Sequence, residues 1–145
     1  MNSVLPGDPT SYAGPRWVRY ATIPFLAITI VRSCIHLFAA DGGAQSIAGI
    51  DTSVEGGNNI IAIFHQWGAI QLLLALVLTT LVARYQGLTS LVLLALAFDP
   101  VLREVAGHMM GVTSAGTPPG ATLNGPMFGV VTALFALSLV KRKNV

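Results

Sequence analysis

The sequence predicts an all-α fold, a transmembrane four-helix bundle with both termini on the cytoplasmic side. Three observations predict it. Only 10% of residues are charged against 53% hydrophobic, with mean hydropathy +0.69; a soluble domain carries about 25% charge. The 145 residues include four apolar stretches, each near the ~20 residues that cross ~30 Å of hydrocarbon at 1.5 Å per residue. Six of the eight Lys and Arg flank these stretches: Arg16 and Arg19 before the first, Arg84 after the second, Lys141, Arg142 and Lys143 after the fourth. The connecting loops 41–59 and 111–122 contain neither, so the positive-inside rule places those loops outside.

The first sixteen residues, with Pro6, Pro9 and Pro15, read as a mobile cytoplasmic leader; residues 17–145 form one membrane domain. Span one covers about residues 20–40. Pro24 lies near its start, where proline is tolerated, and Trp17 and Tyr20 resemble interfacial anchors. The single Cys34 has no intrachain partner and reads as a small packed hydrophobe. A cleavable signal peptide is the competing reading, since Ala39-Ala40 precedes Asp41. Arg32 and His36 interrupt its apolar core, which favours the membrane helix.

The outer loop 41–59 is Gly-rich and polar but contains Ile47 and Ile50. It is either a lid folded over the bundle mouth or a solvated connector. Span two covers about 60–83 and span three about 88–110. Pro100 within span three deprives the carbonyl of Leu96 of its usual donor and predicts a kink. The 111–122 segment is a turn-rich linker with Pro118-Pro119-Gly120. Span four, about 123–140, carries Gly125, Gly129, Ala133 and Ala136 on one side, which predicts close helix contact and a scaffold role.

Arg32, His36, His65, Asp99, Arg103, Glu104 and His108 fall inside these spans. An ionisable group in hydrocarbon costs at least ~2.5 kcal/mol on insertion scales and is a functional-site candidate by default. Counting helical rise, Arg32 lies about 18 Å and Asp99 about 16 Å from the cytoplasmic end, with His36, Arg103 and His108 further out. The expectation is one polar pocket in the outer half. Asp99 and Arg103, Glu104 and His108, and Arg32 and His36 are i,i+4 pairs. Two arginines and two acids sum to zero, as a low-dielectric network requires. The two pairs on span three lie about 140° apart, which predicts a central helix.

In the functional reading Glu104 and Asp99 handle protons, with His65 or His36 as the second group. Arg32 and Arg103 hold negative charge, and Gln66, Trp67 and His108 line the pocket. In the structural reading the Asp99–Arg103 pair fixes helix packing, and Gln66 and Gln71 bond between helices. No metal or cofactor is predicted. There is no HExxH and no paired Cys, and His36, His65 and His108 with Glu104 make a site only if packing gathers them. A haem between two histidines needs both at matching depth.

The run His36-Leu37-Phe38-Ala39-Ala40-Asp41-Gly42-Gly43-Ala44, followed by Ser46-Ile47-Ala48-Gly49-Ile50, resembles small uncharacterised bacterial four-helix membrane proteins. Trp67-Gly68, Gln71-Leu72 and Pro118-Pro119-Gly120-Ala121 occupy similar places in that pattern, as do the acid and arginine of span three. The architecture is more loosely similar to the DoxX-like group. The resemblance covers about residues 30–125 and implies a bacterial inner-membrane protein without a defined activity. Before Trp-Gly that pattern is apolar, whereas here stands His65-Gln66, which implies a specialised member.

Three functions fit these residues. The first is an enzyme or binding protein acting by acid–base chemistry, isomerase or hydrolase in type, on a small hydrophobic or amphipathic molecule or a membrane lipid. The second is a non-catalytic accessory subunit of a larger membrane complex, or a homodimer. The third is a transporter or proton relay, against which the inner halves of spans one, two and four carry few polar side chains. With +2 net charge and no basic stripe except the tail, no nucleic-acid partner is expected.

Overall fold

The computed structural model describes residues 4–141. Four helices follow one another: α1 (Arg16–Phe38), α2 (Gly57–Arg84), α3 (Thr89–Met109) and α4 (Pro119–Ser138), with a 3-10 turn at Gln86–Leu88 joining α2 to α3. α1, α2 and α4, at 23, 28 and 20 residues, are long and apolar enough to cross a membrane. α3 has 21 residues but carries three charges, Asp99, Arg103 and Glu104. Arg142 and Lys143 of the basic tail lie outside the described residues.

Proline sets several boundaries. Pro15, at φ −62°, caps α1 and its carbonyl accepts the Val18 N–H at 3.1 Å, so the helix starts at Arg16 rather than at Tyr20. Pro118 is held extended by the proline after it. Pro119 then opens α4 at the first helical position, where its missing N–H costs nothing. Pro100 does not end α3, which is helical from Thr89 to Met109.

The helices form two antiparallel hairpins. In the first, the Arg19 guanidinium near the start of α1 donates to the Val82 carbonyl near the end of α2 at 3.3 Å. In the second, Ser138 at the end of α4 meets Ser90 at the start of α3 at 2.8 Å. α1 and α3 each touch all three other helices and so lie across the short diagonal. Both core clusters reflect this. Val18 of α1 packs with Leu93 and Ala97 of α3 and Val131 and Leu134 of α4; Leu26 of α1 packs with Leu78 and Val82 of α2 and Val92 of α3.

Polar side chains in the helices are largely satisfied locally. The hydroxyls of Thr22, Thr29, Ser33, Thr79 and Thr80 each donate to the carbonyl four residues back, at 2.7–3.0 Å. Large apolar side chains such as Ile23, Ile70, Leu73, Leu102 and Val130 remain exposed. In an apolar solvent such a surface carries no penalty.

The closest approach between helices is not where the sequence places it. A Cβ added at Gly125 or Gly129 of α4 would meet nothing within 4 Å, and Ala133 and Ala136 are exposed. The small-residue side of α4 makes no close helix contact. Close contact falls instead at Gly68 of α2, where a Cβ would sit 2.6 Å from the Leu37 nitrogen and 2.7 Å from the His36 carbonyl carbon.

At the end bearing the termini, the expected mobile leader lies against the α2–α3 turn. The Gly87 N–H donates to the Pro9 carbonyl at 2.8 Å, and a side chain there would press on the Ser11 carbonyl. Tyr12 is half-buried in this contact, and burial pushes its hydroxyl up to about 12. At the other end, residues 41–56 fold into a compact cap. The Asp41 carboxylate accepts the backbone N–H groups of Gly43, Gln45 and Ser46 at 2.9, 3.1 and 2.6 Å, and the Ser46 hydroxyl at 3.1 Å. These bonds hold its pKa well below the usual carboxylate range, at about 2. The Gly49 carbonyl accepts the Ala115 N–H at 2.9 Å, joining the two long loops.

Candidate functional site

The seven ionisable residues do not meet in one pocket. They fall into three groups, because the two pairs on α3 point to different sides of the helix and the histidines of α1 and α2 bond to backbone carbonyls where those two helices meet.

The first group is ionic. Asp99 and Arg103, one turn apart on α3, are joined at 2.7 Å, and Arg32 from α1 lies 3.7 Å from the same carboxylate oxygen, Oδ2. This level match agrees with the depths counted from helical rise. The side chains are 27, 28 and 41% exposed for Arg32, Arg103 and Asp99, so the cluster sits at the edge of the bundle. The buried Nε–H groups of Arg32 and Arg103 have no acceptor, each an unmet bond of about 1–3 kcal/mol. A cavity of about 40 Å³ adjoins them, walled by Ile28 and Thr29 of α1, Pro100 of α3 and Met127 of α4.

The second group is aromatic and lies where α1 meets α2. The Arg32 guanidinium stands 5.9 Å from the centre of the Trp67 ring, and Trp67 stacks on His36 at 4.6 Å. Phe64 completes the cluster edge-on to both. His36 is 5% exposed, and its Nδ1 is 2.7 Å from the Gly42 carbonyl. His65 Nδ1 is 2.9 Å from the Leu37 carbonyl. A carbonyl only accepts, so Nδ1 carries the hydrogen in both rings and Nε2 keeps the lone pair of the neutral form. The two bonds satisfy backbone carbonyls in the last turn of α1 and in the loop just beyond it, a structural role sufficient to explain the two histidines. Gly43, at φ +77°, turns the chain beside the His36 ring, and a Cβ there would lie 3.2 Å from Nδ1.

The third group lies on the far side of α3. Glu104 Oε1 and His108 Nε2 are 3.8 Å apart, 65 and 80% exposed. The expected neutral network of two arginines and two acids is therefore divided, with Glu104 away from both guanidiniums. The 140° offset does this, and beyond Pro100 every residue of α3 except Arg103 is exposed rather than central. Glu104 and His108 border a cavity of about 350 Å³ between α3 and α4, otherwise walled by Val101, Val105, Phe128 and Gly125. Asn124 also borders it. Its Nδ2 donates to the Pro100 carbonyl at 3.0 Å, while its Oδ1 is buried without a partner.

Asn124 was not singled out as a site residue. Its signal was present: it is the one amide in the α4 sequence, with apolar or small residues around it. Gln66 is exposed and belongs to none of the three groups. Gln71 is buried, with Oε1 3.4 Å from the Ser33 hydroxyl, as an interhelical contact should be. Among the described residues, no three His, Cys, Asp or Glu side chains lie together as a metal site; His36, His65 and His108 are separated with their groups.

No protein-family model, curated protein or solved structure matches this chain. The resemblance to small four-helix membrane proteins thus rests on its quoted residues alone, and function has to be argued from the three groups.

Proposed function

We propose that this is a four-span membrane protein that takes up a small amphipathic or lipid-soluble molecule between α3 and α4 and moves a proton on it through Glu104 and His108. The observation that carries the reading is the 350 Å³ cavity, apolar except for Glu104, His108 and the unmet Asn124 Oδ1. Ligand sites have this character: apolar walls and a few convergent polar groups. Asn124 Oδ1 accepts a hydroxyl or N–H of the ligand. Glu104 serves as base and His108 as acid; 3.8 Å apart, the two reach neighbouring atoms of one ligand from the same wall of the cavity, one taking a proton and the other giving one. Isomerisation and hydrolysis both use this arrangement.

Connectivity supports four spans. α2 ends and α4 ends at the same end of the bundle, so a chain in which both cross must cross back through α3. The location in a bacterial inner membrane, termini inside, rests on the charge distribution of the sequence and on the resemblance. An accessory role is the second reading. Leu102, Val105, Met109, Met110 and Val112 are all exposed, a face that lipid or a partner helix would cover.

Native mass spectrometry of the gently extracted protein, with an optical spectrum, tests the proposal. The expected result is a bound small molecule in the wild type that is lost in Glu104→Gln, whose side chain makes no helix-to-helix bond, with the helical fold retained. Wild type emerging apo with protein subunits attached would overturn it for the accessory reading.

A further inference from the structure

We propose that Arg32 and Arg103 hold the anionic head of a membrane amphiphile, a carboxylate or phosphate, in the cleft between α1, α3 and α4. This site is separate from the Glu104 groove and does not depend on it.

The charge balance leads there. The charged groups acting on Arg32 are Arg103, which repels it, and Asp99, which attracts it. Two guanidiniums therefore share one carboxylate, and in fact one oxygen of it. One positive charge is left over within helices that are otherwise apolar. Glu104, which the sequence offers as the second counter-charge, is paired with His108 on another side of α3. Both Nε–H donors are buried without acceptors. An uncompensated cation in such a place calls for an anion.

Shape and stereochemistry agree. The adjoining cavity of about 40 Å³ has room for a small oxyanion, since one water needs only ~10–15 Å³ on this kind of measure. Guanidinium forks suit carboxylate and phosphate oxygens and are less strongly hydrated than ammonium. Trp67 steadies Arg32 from its other face. Beside the arginines in the sequence of α1 and α3, Ile28, Val31, Phe98 and Leu102 are exposed and give an acyl tail an apolar path along the outer surface of the bundle. That path is the argument for an amphiphile over a free anion, which would have no use for it.

The test is thermal unfolding of the intact protein in a neutral detergent, titrated in turn with oleate, phosphatidylglycerol, phosphatidylcholine and inorganic phosphate. One or both anionic amphiphiles should raise the melting temperature, while phosphatidylcholine and inorganic phosphate should not. Arg32→Gln and Arg103→Gln should raise the half-effective concentration about tenfold or more. Asp99→Asn, which removes the competing carboxylate, should lower it. This opposite sign separates binding from mere structural damage, and it can be read even if an arginine variant fails to fold. The proposal is overturned if phosphatidylcholine matches the anionic amphiphiles, if inorganic phosphate alone reproduces the shift, if no ligand shifts the wild type, or if Asp99→Asn weakens binding as the arginine variants do.

Discussion

At the scale of single residues, the decisive feature is how little room certain positions have. Gly68 brings the backbones of α1 and α2 together directly beside His36, which lets Trp67, one residue away, stack on that ring. A methyl group there has to push α1 away. Gly68→Ala is therefore expected to destabilise by about 1–3 kcal/mol, the usual cost of overpacking, and to disturb Trp67 fluorescence. Gly129→Ala meets open space and gains helix propensity, so it should be neutral or stabilising by up to about 1 kcal/mol. Thermal unfolding of the two variants side by side checks this; equal losses would mean that the α4 stripe is packed after all. The same scale explains why the histidines were ambiguous in sequence. Each ring satisfies a carbonyl at or just beyond the end of α1, and that geometry exists only when Gly42 and Leu37 have been placed.

At the scale of elements, the cap formed by residues 41–56 depends on one carboxylate. Asp41 is ionised in the fold down to about pH 2, against ~3.9 in an unfolded chain. A depressed pKa contributes stability that is fully present above the unfolded value and is lost as pH falls through the folded one. The protection of the Gly43, Gln45 and Ser46 amides, taken relative to their intrinsic exchange rates, should accordingly be full at neutral pH and fall between about pH 4 and pH 2. In Asp41→Asn the protection should be low at every pH, without that titration. A cap that stays protected in the variant would show that packing of Ala44, not the carboxylate, holds it. α3 is the other element with a divided character. Its first half is buried between hairpins; its second half, from Val101 onward, touches α4 and presents Glu104 and His108 outward.

At the scale of the whole molecule, the prediction concerns topology. With Cys34 replaced by Ser, single cysteines at Ser53 and Ser114 in the loops should react with a membrane-impermeant thiol reagent on intact cells. A cysteine at Gln86, in the α2–α3 turn, should react only after the membrane is opened. Labelling of Gln86→Cys alone on intact cells would reverse the orientation, and labelling of Ser53→Cys with Gln86→Cys and Ser114→Cys both protected would mean that α3 does not cross. The bundle's diagonal arrangement also places Arg32 on α1 against Asp99 on α3, since those are the two helices that touch every other.

Much of this was legible in the sequence. Four helices, their approximate limits and the level match of Arg32 with Asp99 follow from hydropathy and a fixed rise per residue, both local properties. The 140° separation of the α3 pairs is equally local, yet in the sequence it reads as the mark of a central helix rather than of a divided network. What only the tertiary structure decided is which faces meet. Whether a small-residue stripe is used, as at Gly68, or left open, as at Gly129, depends on how each helix is rotated about its axis. In a chain apolar on nearly all sides, no hydrophobic stripe records that rotation. Packing shape and a few hydrogen bonds set it instead, and these become visible only when the helices are placed together.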